Sequence, residues 1–190
     1  MQHGLHRRGA RARGEALAQD AEGFGFSGED PGYQLAGLTS LAAMPEPQDE
    51  TELAAQAIGQ GRVEASPAHM AGVAAAAVTG RWRQPFVVEG EGASETEAPG
   101  DPDVLSSLME QAVEDGTGTA AAADGVTVLG KTGTAQVDDG EHAWFVGVAP
   151  ELFGEDGSAG LAFAVLVEGG GAGGETAAPL AADLVGALAE

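Results

Sequence analysis

Hydrophobic positions follow two different periods along the chain, and the change falls about two-thirds of the way along it. Ser66-Pro67 marks a helix start: the serine oxygen can accept a bond from the first turn, and proline at the first helical position loses no hydrogen bond. Met70, Val73, Ala74, Ala77 and Val78 then recur at helical spacing, and Gly80 sits where a left-handed C-cap is wanted. The spacing predicts a second helix from Asp103 to Asp115, with Val104, Leu105, Leu108, Ala112 and Val113 on one side and Gly116 closing it. Shorter helices are expected at Glu15–Gly23 and Glu52–Ile58, the latter followed by a Gly59-Gln60-Gly61 turn. Residues 28–48 read as irregular loop, and residues 90–100 as an exposed acidic, glycine-rich loop.

Beyond Gly125 the pattern becomes that of strands. Val126–Val137, Ala143–Ala149 and Leu161–Glu168 are rich in valine and aromatics and are separated by turn residues, which predicts three consecutive antiparallel strands. Leu161–Val167 is apolar on both faces, so it is expected to be a covered strand. A glycine-rich turn leads to a last helix, with Thr176 as candidate cap and Leu180, Leu184, Val185 and Leu188 as the stripe that packs on the sheet. No internal repeat is visible.

Composition narrows the function classes. A chain of 190 residues is one domain, or most of a larger one. With few aromatics and abundant alanine and glycine, its core must be built largely from Ala, Val and Leu. A net charge of −22 argues against nucleic acid and anionic lipid as partners, since both would be repelled. The basic cluster Arg7, Arg8, Arg11 and Arg13 runs against that balance, and Met1–Gly14 reads as a disordered basic start. Without cysteine there is no thiolate metal site, and His69 and His142 lack neighbours at ligand spacing, so no metal or other cofactor is expected. Asp138-Asp139 and Glu155-Asp156 read as solvated turn corners, and Trp144, Phe145 and Val146 as core. There is no apolar run of about 18 residues and no apolar segment after the first arginines. As written, the chain carries neither membrane span nor secretory signal and is expected to stay in the cytoplasm.

The candidate chemistry lies in Leu129–Gln136, which reads Leu-Gly-Lys-Thr-Gly-Thr-Ala-Gln and contains the chain's single lysine, Lys131. Gly125–Thr132 formally satisfies the phosphate-loop pattern G-x-x-x-x-G-K-[ST], but such a loop needs a helix opening at the lysine, and Thr132–Gln136 instead continues a strand-like run. Lys131-Thr132-Gly133 is also one of three motifs that build the active site of serine acyl-transfer enzymes acting on D-Ala-D-Ala peptides and β-lactams. The other two are Ser-x-x-Lys, which carries the nucleophile, and Ser-x-Asn. None of the seven serines has a lysine three residues on, and asparagine does not occur.

Val126–Gln136, His142–Pro150 and Leu161–Gly169, with Ile58–Gly61, Ser66–Ala71, Val113–Gly118 and Ala177–Leu180, together resemble the C-terminal half of the transpeptidase domain of penicillin-binding proteins, especially the monofunctional class B type. The resemblance covers residues 15–190. It implies an α+β fold, an antiparallel sheet flanked by helices, here expected to be incomplete at its N-terminus. It implies that Lys131 places a positive charge beside the Ser-x-Asn serine, that the hydroxyls of Thr132 and Thr134 hold the substrate carboxylate, and that the Thr134 N–H is half of an oxyanion hole. Gly133 would keep the strand edge open to a ligand lying alongside like an added strand. The ligand implied is a peptidoglycan stem peptide or a β-lactam, and the implied location is outside the cytoplasm, on a membrane anchor. Without its nucleophile the chain is expected to be inactive alone. A non-catalytic binding remnant of the same fold is the alternative, and a phosphate-loop nucleotide binder a further one. Gly59-Gln60-Gly61 reads equally as a plain turn or as an approach to the cleft.

Overall fold

The computed structural model describes residues 2–26, 33–35, 38–40, 42–85, 95–153 and 160–190. Helix α1 spans Gln2–Gly23. It begins well before the start expected at Glu15, so the arginine-rich opening that reads as disordered is helical here; its Ala, Arg, Leu and Gln are good helix formers. The stretch expected to be loop contributes short strands β1 (Tyr33–Leu35), β2 (Leu38–Ser40) and β3 (Ala42–Ala43). Helix α2 (Glu50–Gln56) is capped by Asp49, whose side chain accepts from the N–H groups of Thr51 and Glu52. Strand β4 (Glu64–Ala65) pairs with β3.

Helix α3 (Pro67–Thr79) has the expected ends: the Ser66 side chain accepts from the His69 N–H, and Gly80 closes it at φ 71°. Strand β5 (Arg81–Arg83) pairs with β6 (Glu95–Glu97), so part of the predicted acidic loop is strand. Arg81 and Arg83 both reach Glu95 across that pair and hold its carboxyl below the usual range, Arg83 more strongly. Residues 90–94 of that loop and the Glu155-Asp156 corner lie outside the described residues.

Helix α4 (Pro102–Glu114) buries Val113 but leaves Val104 and Leu108 more than half exposed, so the predicted apolar face is only partly covered. A short 3-10 turn (Thr119–Ala121) leads to the main sheet. That sheet is β7 (Leu129–Val137), β8 (Gly140–Ala149) and β9 (Leu161–Val167), antiparallel in the order β7-β8-β9. Helix α5 (Gly173–Ala189) closes the chain.

The core lies between α5 and one face of this sheet. Phe145, fully buried, stands at its centre and stacks near Phe163, with ring centroids 6.1 Å apart. Ala177, Ala178, Ala181 and Val185 of α5, Val113 of α4 and Ala121 pack around them. The helix thus turns its alanines to the sheet. The predicted stripe is corrected: Leu180, Leu184 and Leu188 are each about two-fifths exposed, and only Val185 of that set is buried. Small side chains let α5 sit close to a sheet already filled by Phe145, which leaves no room for leucines in between. Thr176 is also not the cap. It lies inside the first turn and donates its hydroxyl to the Gly170 carbonyl. Helix α3 packs on β8 and β9 outside this cluster, so β9 is covered as expected. A second cluster of Ala76, Trp82 and Ala98, flanked by Phe24 and Val73, ties the turn after α1 to α3 and β5.

Candidate active-site strand

Lys131 to Thr134 all lie on β7, whose only strand partner among the described residues is β8. The register pairs Lys131 with Val146, Thr132 with Phe145, Gly133 with Trp144 and Thr134 with Ala143. Alternation therefore places Thr132 and Thr134 on the Phe145 face, towards α5, and Lys131 and Gly133 on the Trp144 face. The lysine and the two hydroxyls belong to opposite faces and meet only along the outer edge of the strand.

That edge is where Lys131 ends. Its side chain is exposed, and Nζ donates to the carbonyl oxygen of Thr132 at 2.6 Å. Among the described residues the ion pairs are Arg13–Glu50, Arg62–Glu52 and the two to Glu95, and Lys131 takes part in none of them. In a chain of net charge −22, Lys131 has no carboxylate partner among the described residues.

The threonine hydroxyls have internal partners. Thr132 is 9% exposed, and its Oγ1 lies 2.6 Å from Oγ1 of Thr117, in the turn after α4. One hydroxyl of this pair donates to the other, which leaves one O–H to offer outward. Thr134 Oγ1 accepts from the Gly173 N–H at 3.3 Å, so its own proton also remains available. Gly173 is the first residue of α5, whose N-terminus brings partial positive charge to the same place. Gly173 rests on the backbone of Gly133, on the side where Gly133 carries no side chain. On the other side an added Cβ at Gly133 would meet Trp144 Cβ at 3.2 Å, so what fills that space is the neighbouring strand. Thr117 and Gly173 were not singled out in the sequence, because neither role is visible until the turn and the helix start fold onto β7.

The strand also settles the phosphate-loop question. Lys131 lies well inside β7, which runs on to Val137, so no helix N-terminus forms at Thr132 and the motif lacks its structural context. Phe145 is core as expected, while Trp144 and Val146 are half-buried. His142 accepts from the Gly169 N–H through Nδ1 and steadies the turn after β9. His69 is fully buried, with ring centroids 4.7 Å from Phe26 and 4.6 Å from Trp82. Burial lowers its pKa from 6.5 to about 4, against an opposing backbone hydrogen bond with Phe24.

The family profile described as the penicillin-binding protein transpeptidase domain matches residues 11–186. The chain belongs to this family. Solved transpeptidase structures agree in fold. The D,D-transpeptidase domain of a peptidoglycan glycosyltransferase from Eggerthella lenta is 27% identical with a TM-score of 0.72, the match covering 93% of this chain and 48% of that one. PBPA from Mycobacterium tuberculosis is 26% identical with a TM-score of 0.70, over 93% and 46% of the two chains. PBP2 from Helicobacter pylori, solved in a complex with MreC, is 23% identical with a TM-score of 0.72, over 92% and 35%, a likeness of fold. The chain thus spans about half the length of the first two structures it matches. A search of the curated proteins returns no match. No helix among the described residues is long and apolar enough to cross a membrane.

Proposed function

We propose that this chain forms the Lys-Thr-Gly wall of a class B penicillin-binding transpeptidase cleft, where a peptidoglycan stem peptide or a β-lactam lies along the outer edge of β7 outside the cytoplasm. The observation that carries this reading is the edge itself: it has no strand partner among the described residues, and it holds Lys131 Nζ at one step and the Thr134 backbone at the next. On it, Lys131 draws the anionic ligand and stabilises charge during acyl transfer, and the outward protons of the Thr117–Thr132 pair and of Thr134 hold the ligand carboxylate. The Thr134 N–H polarises the carbonyl under attack. The nucleophile comes from a Ser-x-x-Lys motif, which this sequence does not contain, so the chain by itself is inactive.

Two measurements test the reading. The chain alone, treated with fluorescent penicillin and run on a denaturing gel, is expected to give no labelled band; a covalent adduct on any of its serines would refute the missing nucleophile. In a form that also carries Ser-x-x-Lys and Ser-x-Asn, Lys131→Ala should slow acylation about 10²–10⁴-fold, while Arg83→Ala, on the Glu95 side of the molecule, should leave it unchanged. Equal stopped-flow rates for Lys131→Ala and the parent would reduce the relationship to fold without mechanism.

A further inference from the structure

The outer edge of β7 is bare of strands but not bare of hydrogen bonds. The side-chain amide of Gln60 sits against it: Nε2 donates to the Thr134 carbonyl at 2.9 Å, and Oε1 accepts from the Gln136 N–H at 3.2 Å. These partners stand 74 and 76 residues away in sequence, so the contact belongs to the tertiary fold. A carboxamide offers one N–H and one C=O, the same pair that a residue of an added strand presents. The carbonyl of one residue and the N–H two positions on are the groups an extended peptide takes from a strand edge, whichever direction it runs. Gln60 occupies both.

The turn that delivers Gln60 is pinned by bonds that use its backbone and leave its side chain out. After α2 the Gly59 N–H bonds to the Gln56 carbonyl and the Gln60 N–H to the Ala55 carbonyl, the paired bonds of a Schellman motif. Gly59 holds the left-handed conformation this requires, at φ 75°, and nothing lies within 4 Å of where its Cβ would be. Rotation about the side-chain bonds of Gln60 alone, with the turn unchanged, releases the edge.

We infer that Gln60 is a displaceable clip on the ligand edge: it stands in for the backbone of an extended peptide beyond Thr134, and a ligand that runs past Thr134 must push it aside. This rests on the proposed peptide-binding role of β7. Residue 60 then sets how far along the strand a ligand is held. Short ligands that stop at the Thr134 N–H coexist with the clip, and longer peptides compete with it. Two neutral hydrogen bonds, each modest in net terms, correspond to about a tenfold effect on the affinity of a longer ligand.

The test is a titration of the 190-residue chain, followed by NMR, with an acetylated tripeptide ending in D-Ala-D-Ala. On binding, the Gln60 side-chain NH₂ signals should move to the positions of a solvated carboxamide while the Thr134 and Gln136 amides shift. The Gln60→Ala variant should bind the tripeptide about tenfold tighter than the parent, and Gln60→Glu, which sets a carboxylate against the Thr134 carbonyl, should also bind it tighter. The titration of the parent needs no variant to fold. If the Thr134 amide shifts at saturation while the Gln60 NH₂ signals stay in place, or if Gln60→Ala binds equally or more weakly, the clip is wrong and the ligand edge stands. If the tripeptide perturbs no β7 amide in parent or variant, the ligand edge itself is wrong and the clip falls with it.

Discussion

Replacing Gly173 with alanine tests whether the closing helix is fitted to the Lys-Thr-Gly strand atom by atom. A Cβ at Gly173 would overlap the carbonyl oxygens of Gly133 and Trp144, which face each other across the β7–β8 pair, and would stand 3.0 Å from the Gly133 nitrogen. None of these is a side-chain end that can swing away. Relief requires lifting the first turn of α5 off the sheet, which also breaks the bond from the Gly173 N–H to Thr134 Oγ1. Overpacking of this kind costs about 1–3 kcal/mol, and the lost hydrogen bond adds about 1 kcal/mol. Gly186, in the same helix, is the control, because nothing lies within 4 Å of its added Cβ. There the change relieves the conformational cost of helical glycine and stabilises by about 0.5–1 kcal/mol. Urea unfolding followed by circular dichroism should therefore move the midpoint down for Gly173→Ala and up for Gly186→Ala. A Gly173→Ala midpoint within about 0.5 kcal/mol of the parent would refute the close approach of α5 to β7, since ordinary surface changes stay inside that range.

Two further outcomes follow from the same geometry. His69 is held well below its ordinary value chiefly by burial, so between about pH 6.5 and 4 the unfolded chain binds more protons than the folded one. Stability should be complete above that window and fall by about 2–3 kcal/mol as the pH drops through it; urea midpoints against pH that run parallel for the parent and His69→Gln would contradict this. Calorimetry with Mg-ATP should give no saturable heat, because Thr132 continues β7 instead of opening a helix; binding abolished by Lys131→Ala would restore the phosphate-loop reading.

Local signals explain what was legible in the sequence. Ser66, Pro67 and Gly80 fix the ends of α3 by chemistry within a few residues, and the valine-rich runs mark β7, β8 and β9 as three consecutive antiparallel strands. The misreadings come from packing at a distance. On α5 the leucines look like the buried stripe because they are the largest apolar residues, yet Phe145 already fills the space beneath the helix and only Ala177, Ala178, Ala181 and Val185 fit above it. Periodicity ranks residues by hydrophobicity, whereas a close-packed interface selects them by volume. The exposed face of α4 has the same origin: Val104 and Leu108 share the helix with Val113, but only its last turn reaches the sheet core.

The candidate site was legible as residues and not as an arrangement. Lys131, Thr132 and Thr134 could be named from one motif, but a motif read along a strand does not show that its odd and even members face opposite ways. Nor could it show that the threonine hydroxyls are tied to Thr117 and to the start of α5, since both partners come from distant turns. The glycines carry that missing information. Gly173 rests on the backbone of Gly133 where a Cβ of its own would not fit, and Gly174 approaches the Thr117 carbonyl, 2.5 Å from where its Cβ would stand. With these contacts in place, the hydroxyls face α5, and Lys131 reaches the edge at the Thr132 carbonyl. Gln60 bonds the same edge at Thr134 and Gln136, so on the proposed function Gln60 is what a strand-like ligand would meet beyond Thr134.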